Sequence, residues 1–112
     1  MISTHVLDTA TGRPATGVGV ILERQGAGGE LLPVSRARTD ADGRVRELIP
    51  GALDLEAGTY RLTFETGAYF ETMELDGFYP RVSVLFTVRD PTQHHHVPLL
   101  LSPYGYSTYR GS

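Results

Sequence analysis

The sequence contains no cysteine, which excludes disulfide bridges, thiolate metal sites and thiol nucleophiles together. It contains no lysine either, because all ten basic residues are arginine, so a lysine nucleophile or Schiff base is excluded. The start of the chain lacks the basic and apolar regions of a signal peptide. The longest apolar run, residues 97–101, is too short to span a bilayer. These absences predict a soluble, cytoplasmic protein.

The excess of negative over positive charge is also small. The formal net charge of -3 is too small to predict a nucleic-acid or membrane partner by long-range attraction. Apolar residues make up 40% of the chain and are spread along it, so the protein can bury a core. No linker, internal repeat or low-complexity tract interrupts the 112 residues. We therefore expect a single domain over residues 1–112.

Several segments alternate apolar and polar residues with the two-residue period of β-strands. In each of them the apolar residues would face a core and the polar residues would face outward. The apolar positions of the three clearest segments are Val18, Val20 and Leu22, then Tyr60, Leu62 and Phe64, then Val82, Val84, Phe86 and Val88.

Turn residues separate these segments, as in Asp42-Gly43 and Asp90-Pro91. One stretch, from position 68 to about 75, places Tyr69 and Phe70 at helical spacing with Met73 and predicts a short helix. The rest of the sequence is typical of short strands at regular intervals. The pattern predicts an all-β fold, a two-sheet antiparallel sandwich of about eight strands with one short helix.

Three adjacent histidines, His94, His95 and His96, lead into the apolar run. Residues two apart on a strand share a face, so His94 and His96 would point outward while His95 would join the core side. His5 lies on another candidate strand near the start of the chain. These residues are either ordinary surface histidines or chemically active groups. One alternative is a catalytic zinc site made by His5, His94 and His96.

The segment DADG at 40–43 begins like a calcium-binding loop, but it lacks the required glutamate and the flanking helices. We interpret it as a hairpin turn with acceptor side chains. Arg44 follows this turn, so its guanidinium would lie at a sheet edge. The nucleophile elbow, the phosphate-binding loop, the zinc-protease helix and the dinucleotide fingerprint are all missing from the sequence.

The sequence resembles the 5-hydroxyisourate hydrolases, the transthyretin-related enzymes of urate breakdown, over essentially its whole length. The ending Tyr-Arg-Gly-Ser is the most specific match, because transthyretin itself lacks it. His95 is a departure, since relatives usually carry tyrosine between the two outward histidines. The matching segments are HVLDT at 5–9, GRPA at 12–15, TDADGR at 39–44, GTY at 58–60, GAYF at 67–70 and HVPLLLSPYGYSTYRGS at 96–112.

The resemblance implies a transthyretin-like fold and a homotetramer, a dimer of dimers, with active sites in clefts at the dimer–dimer interface. It implies no cofactor. It also implies hydrolysis of the cyclic amide of 5-hydroxyisourate, on the route from urate to allantoin. The implied product is 5-hydroxy-2-oxo-4-ureido-2,5-dihydro-1H-imidazole-5-carboxylate. The implied catalytic residues are His5, Arg44 and His96, with Ser112 at the end of the terminal tetrapeptide Tyr109, Arg110, Gly111 and Ser112.

A mechanism follows from these residue types. Neutral His96 or His5 would take a proton from water, and Arg44 would bind and polarise the substrate carbonyl. Ser112 would offer a hydroxyl and a carboxylate, and Ser107 would line the pocket because it alternates in step with Tyr109. Two other functions stay open at this point: a transthyretin-like carrier without catalysis, and a zinc-dependent hydrolase of another substrate.

Overall fold

Strands dominate the computed structural model of the chain, which describes residues 1–51 and 53–112. The elements are β1 (Ile2–Asp8), β2 (Arg13–Pro14), β3 (Gly19–Gln25), β4 (Leu31–Arg38), β5 (Arg44–Val45), β6 (Gly58–Phe64), α1 (Thr66–Glu71), β7 (Val82–Val88), β8 (His95–Ser102) and β9 (Gly105–Thr108). One sheet has the order β2-β1-β8-β9, with β5 also paired to β1, and the other has the order β4-β3-β6-β7. This confirms the predicted two-sheet, all-β fold with one short helix.

The core lies between the two sheets and is built from the inward positions of the alternating segments. In the second sheet Val20, Leu22, Leu62 and Phe64 are at most 1% exposed, as the alternation predicts. Burial of each such side chain stabilises the fold by roughly 1.5–3 kcal/mol. The first sheet contributes residues of β1 and β8 to the same cluster, including Val6, Leu99 and Leu101.

The pairing of β1 with β8 differs from the predicted pattern, because these two strands run parallel. The other strand pairs formed by the described residues are antiparallel. A parallel pair cannot be closed by a hairpin, and here Thr4 and Val97 are hydrogen-bonded across 93 positions of sequence. The register sets Ser3 opposite His96 and His5 opposite Pro98.

The helix begins and ends earlier than the predicted segment of residues 68 to about 75, because α1 covers Thr66–Glu71. Its end is a Schellman motif, in which Leu75 N donates to Phe70 O and Glu74 N donates to Glu71 O. Glu74 takes the positive φ of 56° that this motif needs, a position usually held by glycine. Among the described residues no helix is long and apolar enough to cross a membrane.

A buried carboxylate connects the helix to the first sheet. Asp8 at the end of β1 is 1% exposed, and its Oδ2 accepts a 2.8 Å hydrogen bond from Tyr69 Oη on α1. Its Oδ1 accepts from the backbone amides of Ala10 and Thr11. Burial raises the pKa of Tyr69 to about 12, and the hydrogen bond to Asp8 acts in the same direction.

This contact predicts a loss of stability in alkali. Unfolded Tyr69 would ionise near pH 10, whereas folded Tyr69 keeps its proton up to about pH 12, so the free energy of unfolding falls as the pH rises between these values. We expect a contribution on the order of 1 kcal/mol after allowance for partial exposure. Urea unfolding at pH 8 and pH 11 measures it. Tyr69→Phe should lose this contribution, whereas Tyr104→Phe, at a residue 72% exposed, should retain it. Equal pH slopes for the two variants would contradict the assignment.

Candidate active site

His96 lies on the outward face of β8, where the alternation of that strand places it. Its Nδ1 lies 2.7 Å from Ser3 Oγ on the neighbouring strand β1. Burial lowers the pKa of His96 below the ordinary value of 6.5, and the charge of Arg44 lowers it further. His94 and His5 act in the same direction. The ring is therefore neutral at pH 7 and able to accept a proton.

Ser3 is a member of this site that the sequence did not identify. It is 5% exposed, and its Oγ also lies 2.7 Å from Nε2 of His94. One hydroxyl thus joins two imidazoles whose ring centroids are 6.2 Å apart. Strand alternation already groups Ser3 with His5, but only the β1–β8 register puts Ser3 opposite His96.

Arg44 reaches the same face from β5, which pairs with β1 so that Arg44 lies opposite His5. Side-chain hydrogen bonds fix the turn before it, because Asp40 Oδ1 accepts hydrogen bonds from the backbone amides of Asp42 and Arg44. Gly43 has a φ of +74°, and a Cβ there would lie 2.5 Å from Val6 O, so only glycine fits. The turn leads from β4 in one sheet to β5 in the other, so the expected hairpin is a connection between sheets.

The last residues of the sequence run over β8 and cover part of it. Gly111 N donates a 2.8 Å hydrogen bond to His96 O, and Thr108 Oγ1 donates to Pro98 O. A Cβ on Gly111 would overlap with His96 Cδ2 and would come within 3.2 Å of Pro98 Cγ. The glycine is therefore needed for the tail to pack directly on the imidazole.

These elements enclose a cleft of about 350 Å³, which we call the histidine cleft. Of the residues predicted for the site, Arg44, His96 and Ser112 line it. His5 lies on the same face of β1, half-buried and opposite Arg44 in the strand register, and its proximity lowers the pKa of His96. The complete lining is Met1, Ser3, Thr4, Arg44, Val45, Arg46, His94, His96 and Ser112.

Tyr109 and Arg110 lie on the other side of the tail, in a second groove of about 480 Å³ that we call the outer groove. His96 borders both spaces. Arg110 Nη2 donates to Gln93 Oε1 at 3.1 Å. Ser107 lies opposite Leu100 on β9, further along the outward face. Within one chain, then, Ser107, Tyr109 and Arg110 do not line the histidine cleft.

His95 points away from the histidine cleft, as the alternation predicts, and lines the outer groove. It is 4% exposed, and its Nδ1 has no hydrogen-bond partner among the described residues. Burial lowers the pKa of His95, and the charge of Arg110 adds to this effect. A neutral, inward imidazole at this position supports packing rather than proton transfer.

The residues of the histidine cleft supply what amide hydrolysis needs. A neutral imidazole accepts a proton from water, and a guanidinium presents several donors to a developing oxyanion. Ser3 and Ser112 add hydrogen-bonding groups for a polar ligand. Within residues 1–51 and 53–112, no three His, Cys, Asp or Glu side chains are placed to hold a metal ion.

Comparison with known sequences gives matches over the full length of the chain. The profile of the HIUase/Transthyretin family matches residues 2–111. The 5-hydroxyisourate hydrolase of Salmonella dublin is 47% identical over 112 residues, which is 100% of this chain and 81% of that protein. The 5-hydroxyisourate hydrolase of Mus musculus is 44% identical over 112 residues, which is 99% of this chain and 94% of that protein.

Solved structures include both an enzyme and transthyretins. The 5-hydroxyisourate hydrolase of Klebsiella pneumoniae superposes with a TM-score of 0.86 at 41% identity, over 99% of this chain and 98% of that one. Sea bream transthyretin in complex with thyroxine superposes with a TM-score of 0.91 at 30% identity, over 98% of this chain and 93% of that one. The backbone is thus shared with both, whereas sequence identity is higher to the hydrolase.

Proposed function

Because this chain belongs to the HIUase/Transthyretin family, we propose that it is the hydrolase that opens the cyclic amide of 5-hydroxyisourate. It is an enzyme of this family rather than a binding protein of the same fold. The observation that carries this function is the presence of Arg44 and a neutral His96 in one cleft. Hydrolysis yields 5-hydroxy-2-oxo-4-ureido-2,5-dihydro-1H-imidazole-5-carboxylate, a step of urate degradation to allantoin. No cofactor takes part in the reaction that we propose.

In the proposed mechanism His96 is the general base. Its Nε2 removes a proton from a water molecule while the water oxygen bonds to the carbonyl carbon of the ring amide. Arg44 donates hydrogen bonds to the oxyanion of the tetrahedral intermediate. The carbon–nitrogen bond then breaks, and the proton held by His96 passes to the leaving nitrogen, so that one water is consumed.

The remaining predicted residues bind substrate in this proposal. His5, adjacent to Arg44, would orient the ring, and Ser112 would hydrogen-bond to it from the tail side of the cleft. The substrate would also be bound by residues of the C-terminal segment, namely Ser107, Tyr109, Arg110 and Gly111. Since Tyr109 and Arg110 line the outer groove of one chain, their contact with substrate would require a second subunit.

We propose a homotetramer, a dimer of dimers, as the form in which these groups meet. Two sheet edges support association, because β7 ends one sheet and β9 ends the other. Such edges present unpaired backbone groups that another chain can cover. Sedimentation should give about four times the 12.2 kDa mass of the chain, and a monomer at micromolar concentration would refute the assembly. A cytoplasmic location stays a prediction from the sequence.

The direct test uses freshly generated 5-hydroxyisourate. Its spontaneous ultraviolet decay should accelerate in the presence of a small fraction of an equivalent of protein. A transthyretin-like carrier, the second candidate because of the likeness to sea bream transthyretin, would bind ligand without acceleration. A zinc-dependent hydrolase would lose activity to a chelator and recover it with zinc. An unchanged decay rate at catalytic protein concentration would reject the proposed function.

Arg44 offers one test of the site. Because the guanidinium stabilises charge that develops in the transition state, Arg44→Ala should lower kcat/KM by about a hundredfold or more. Arg44→Lys should recover only part of this loss, since an ammonium lacks the planar set of donors. Arg13→Ala, at an exposed arginine on β2 in the same sheet, is the matched control and should retain the parent rate. Equal rates for Arg44→Ala and Arg13→Ala would contradict the role of Arg44.

The pH profile offers another test. A general base must be unprotonated, and burial together with Arg44 lowers the pKa of His96 below 6.5. The value of kcat/KM should therefore be constant around pH 7 and fall only below pH 6.5, as His96 gains its proton. Steady-state rates between pH 5 and pH 8 measure this limb. An acidic midpoint above 6.5 would contradict His96 as the base.

A further inference from the structure

The Ser3 hydroxyl accounts for the hydrogen-bonding state of His96. Its oxygen lies 2.7 Å from Nδ1 of His96 and 2.7 Å from Nε2 of His94. Both distances are those of hydrogen bonds. Ser3 is 5% exposed and lies directly opposite His96 in the β1–β8 register, so the hydroxyl is held between the two rings.

A serine hydroxyl has a single hydrogen to donate, and each neutral imidazole has one N–H. When both rings are neutral, the Ser3 hydroxyl can donate to one ring and accept from the other in two ways. In the first, His96 Nδ1–H donates to Ser3 Oγ, and the Ser3 hydroxyl donates to His94 Nε2. In the second, His94 Nε2–H donates to Ser3 Oγ, and the hydroxyl donates to His96 Nδ1. The hydroxyl can also accept from both rings and direct its hydrogen elsewhere, in which case His96 again carries hydrogen on Nδ1.

The two arrangements leave His96 with opposite chemistry. In the first arrangement Nε2 of His96 has a free lone pair and can accept a proton. In the second arrangement Nε2 carries the hydrogen, so that neutral His96 cannot act as a base through this atom. The hydrogen bond made by one ring nitrogen decides which form of a histidine is present.

We propose that Ser3 and His94 are positioning residues that hold His96 in the Nδ1–H tautomer. His94 is suited to this task because it is exposed, and its own Nδ1–H is left to water while Nε2 accepts from Ser3. The consequence of this tautomer for turnover rests on the proposed function, but the tautomer itself is a property of the unliganded protein.

The ring nitrogens can be observed directly by NMR of protein labelled with 15N-histidine at pH 8. His96 should show a protonated Nδ1 and an unprotonated Nε2. Ser3→Ala should reduce the Nδ1–H signature to a mixture of tautomers, and Ser3→Thr, which keeps the hydroxyl, should recover it. A parent protein with hydrogen on Nε2, or identical His96 signals in Ser3→Ala, would overturn the proposal.

His94 allows a second test on an exposed side chain, where a substitution leaves the core intact. His94→Glu supplies only acceptors, so Ser3 donates to it and His96 keeps its Nδ1–H. His94→Lys supplies only donors, so it removes the acceptor of the Ser3 hydrogen and frees that hydrogen for donation to His96 Nδ1, which favours hydrogen on Nε2. At pH 8 the share of His96 with hydrogen on Nε2 should therefore be larger in His94→Lys than in His94→Glu. Equal shares in the two variants would overturn the proposal.

Kinetics then separate this proposal from the proposed function. Ser3→Ala and His94→Lys should each lower kcat by a few-fold, in proportion to the share of His96 that loses its Nδ1–H, with little change in KM, because fewer molecules hold a competent base. If the tautomers behave as described but 5-hydroxyisourate decay is never accelerated, the function fails and the tautomer assignment stands. If the enzyme is active with hydrogen on Nε2 of His96, the assignment fails and the function stands.

Discussion

Replacement of His96 by alanine should lower kcat/KM for 5-hydroxyisourate by about a hundredfold or more, the range that general base catalysis contributes. The variant removes the imidazole that combines a lowered pKa with a place in the histidine cleft. Stopped-flow decay of the substrate measures the effect against the uncatalysed rate. The variant should fold, because His96 is only partly buried and makes no contact that the core depends on.

His95→Tyr is the matched control for this experiment. The two residues are neighbours on β8, but His95 faces the outer groove and is absent from the lining of the histidine cleft. Relatives in the resembled family usually carry tyrosine at this position, so the substitution should be accommodated with near-parental activity. If His96→Ala kept a near-normal rate, or if both variants lost activity equally, the assignment of His96 as the base would fail.

Removal of Arg110, Gly111 and Ser112 should abolish measurable catalysis while leaving the sandwich folded. The deletion takes Ser112 from the cleft and Gly111 from its packing against His96. It removes one backbone hydrogen bond to β8 and no member of the hydrophobic core, so the free energy of unfolding should fall by only about 1 kcal/mol. Substrate decay and urea unfolding report the two quantities separately. Activity that survives the deletion would make the tail dispensable.

Gly111→Ala gives a finer version of the same test. Its Cβ would overlap with Cδ2 of His96, so either the tail or the imidazole must move, and about a tenfold or greater loss of kcat/KM is expected. Gly105→Ala, near the start of the same terminal segment, is the control. A Cβ there would meet only Ser102 Oγ at an ordinary 3.6 Å. Similar rates for the two variants would show that the Gly111 contact has no catalytic importance.

The local alternation of apolar and polar residues was sufficient to predict much of the fold. The alternation over β6, β7 and β8 reflects the fixed two-residue period of a strand that packs one face on a core, and burial follows it at Leu62, Val88 and Leu99. The same rule correctly separated His95 from His96. The roles of His5, Arg44 and His96 were taken from the family resemblance, and they stay predictions until the variants are measured.

The features that the sequence did not predict depend on contacts between residues that are distant in sequence. Ser3 becomes a partner of two histidines only because β1 lies parallel to β8, and nothing in the local sequence encodes that register. The separation of Ser112 from Tyr109 and Arg110 depends on how the tail crosses β8, which is equally non-local. At α1 the early end follows from the left-handed conformation of Glu74, an unusual choice where glycine is preferred.

The parallel pairing of β1 with β8 has a consequence for folding during synthesis. As the chain leaves the ribosome, β1 emerges before β8, and nearly ninety further residues must be translated before this main partner of β1 is available. Long-range pairings of this kind make folding slow and leave strand edges exposed to other nascent chains. The histidine cleft, which straddles this pairing, is therefore among the last parts of the molecule to mature.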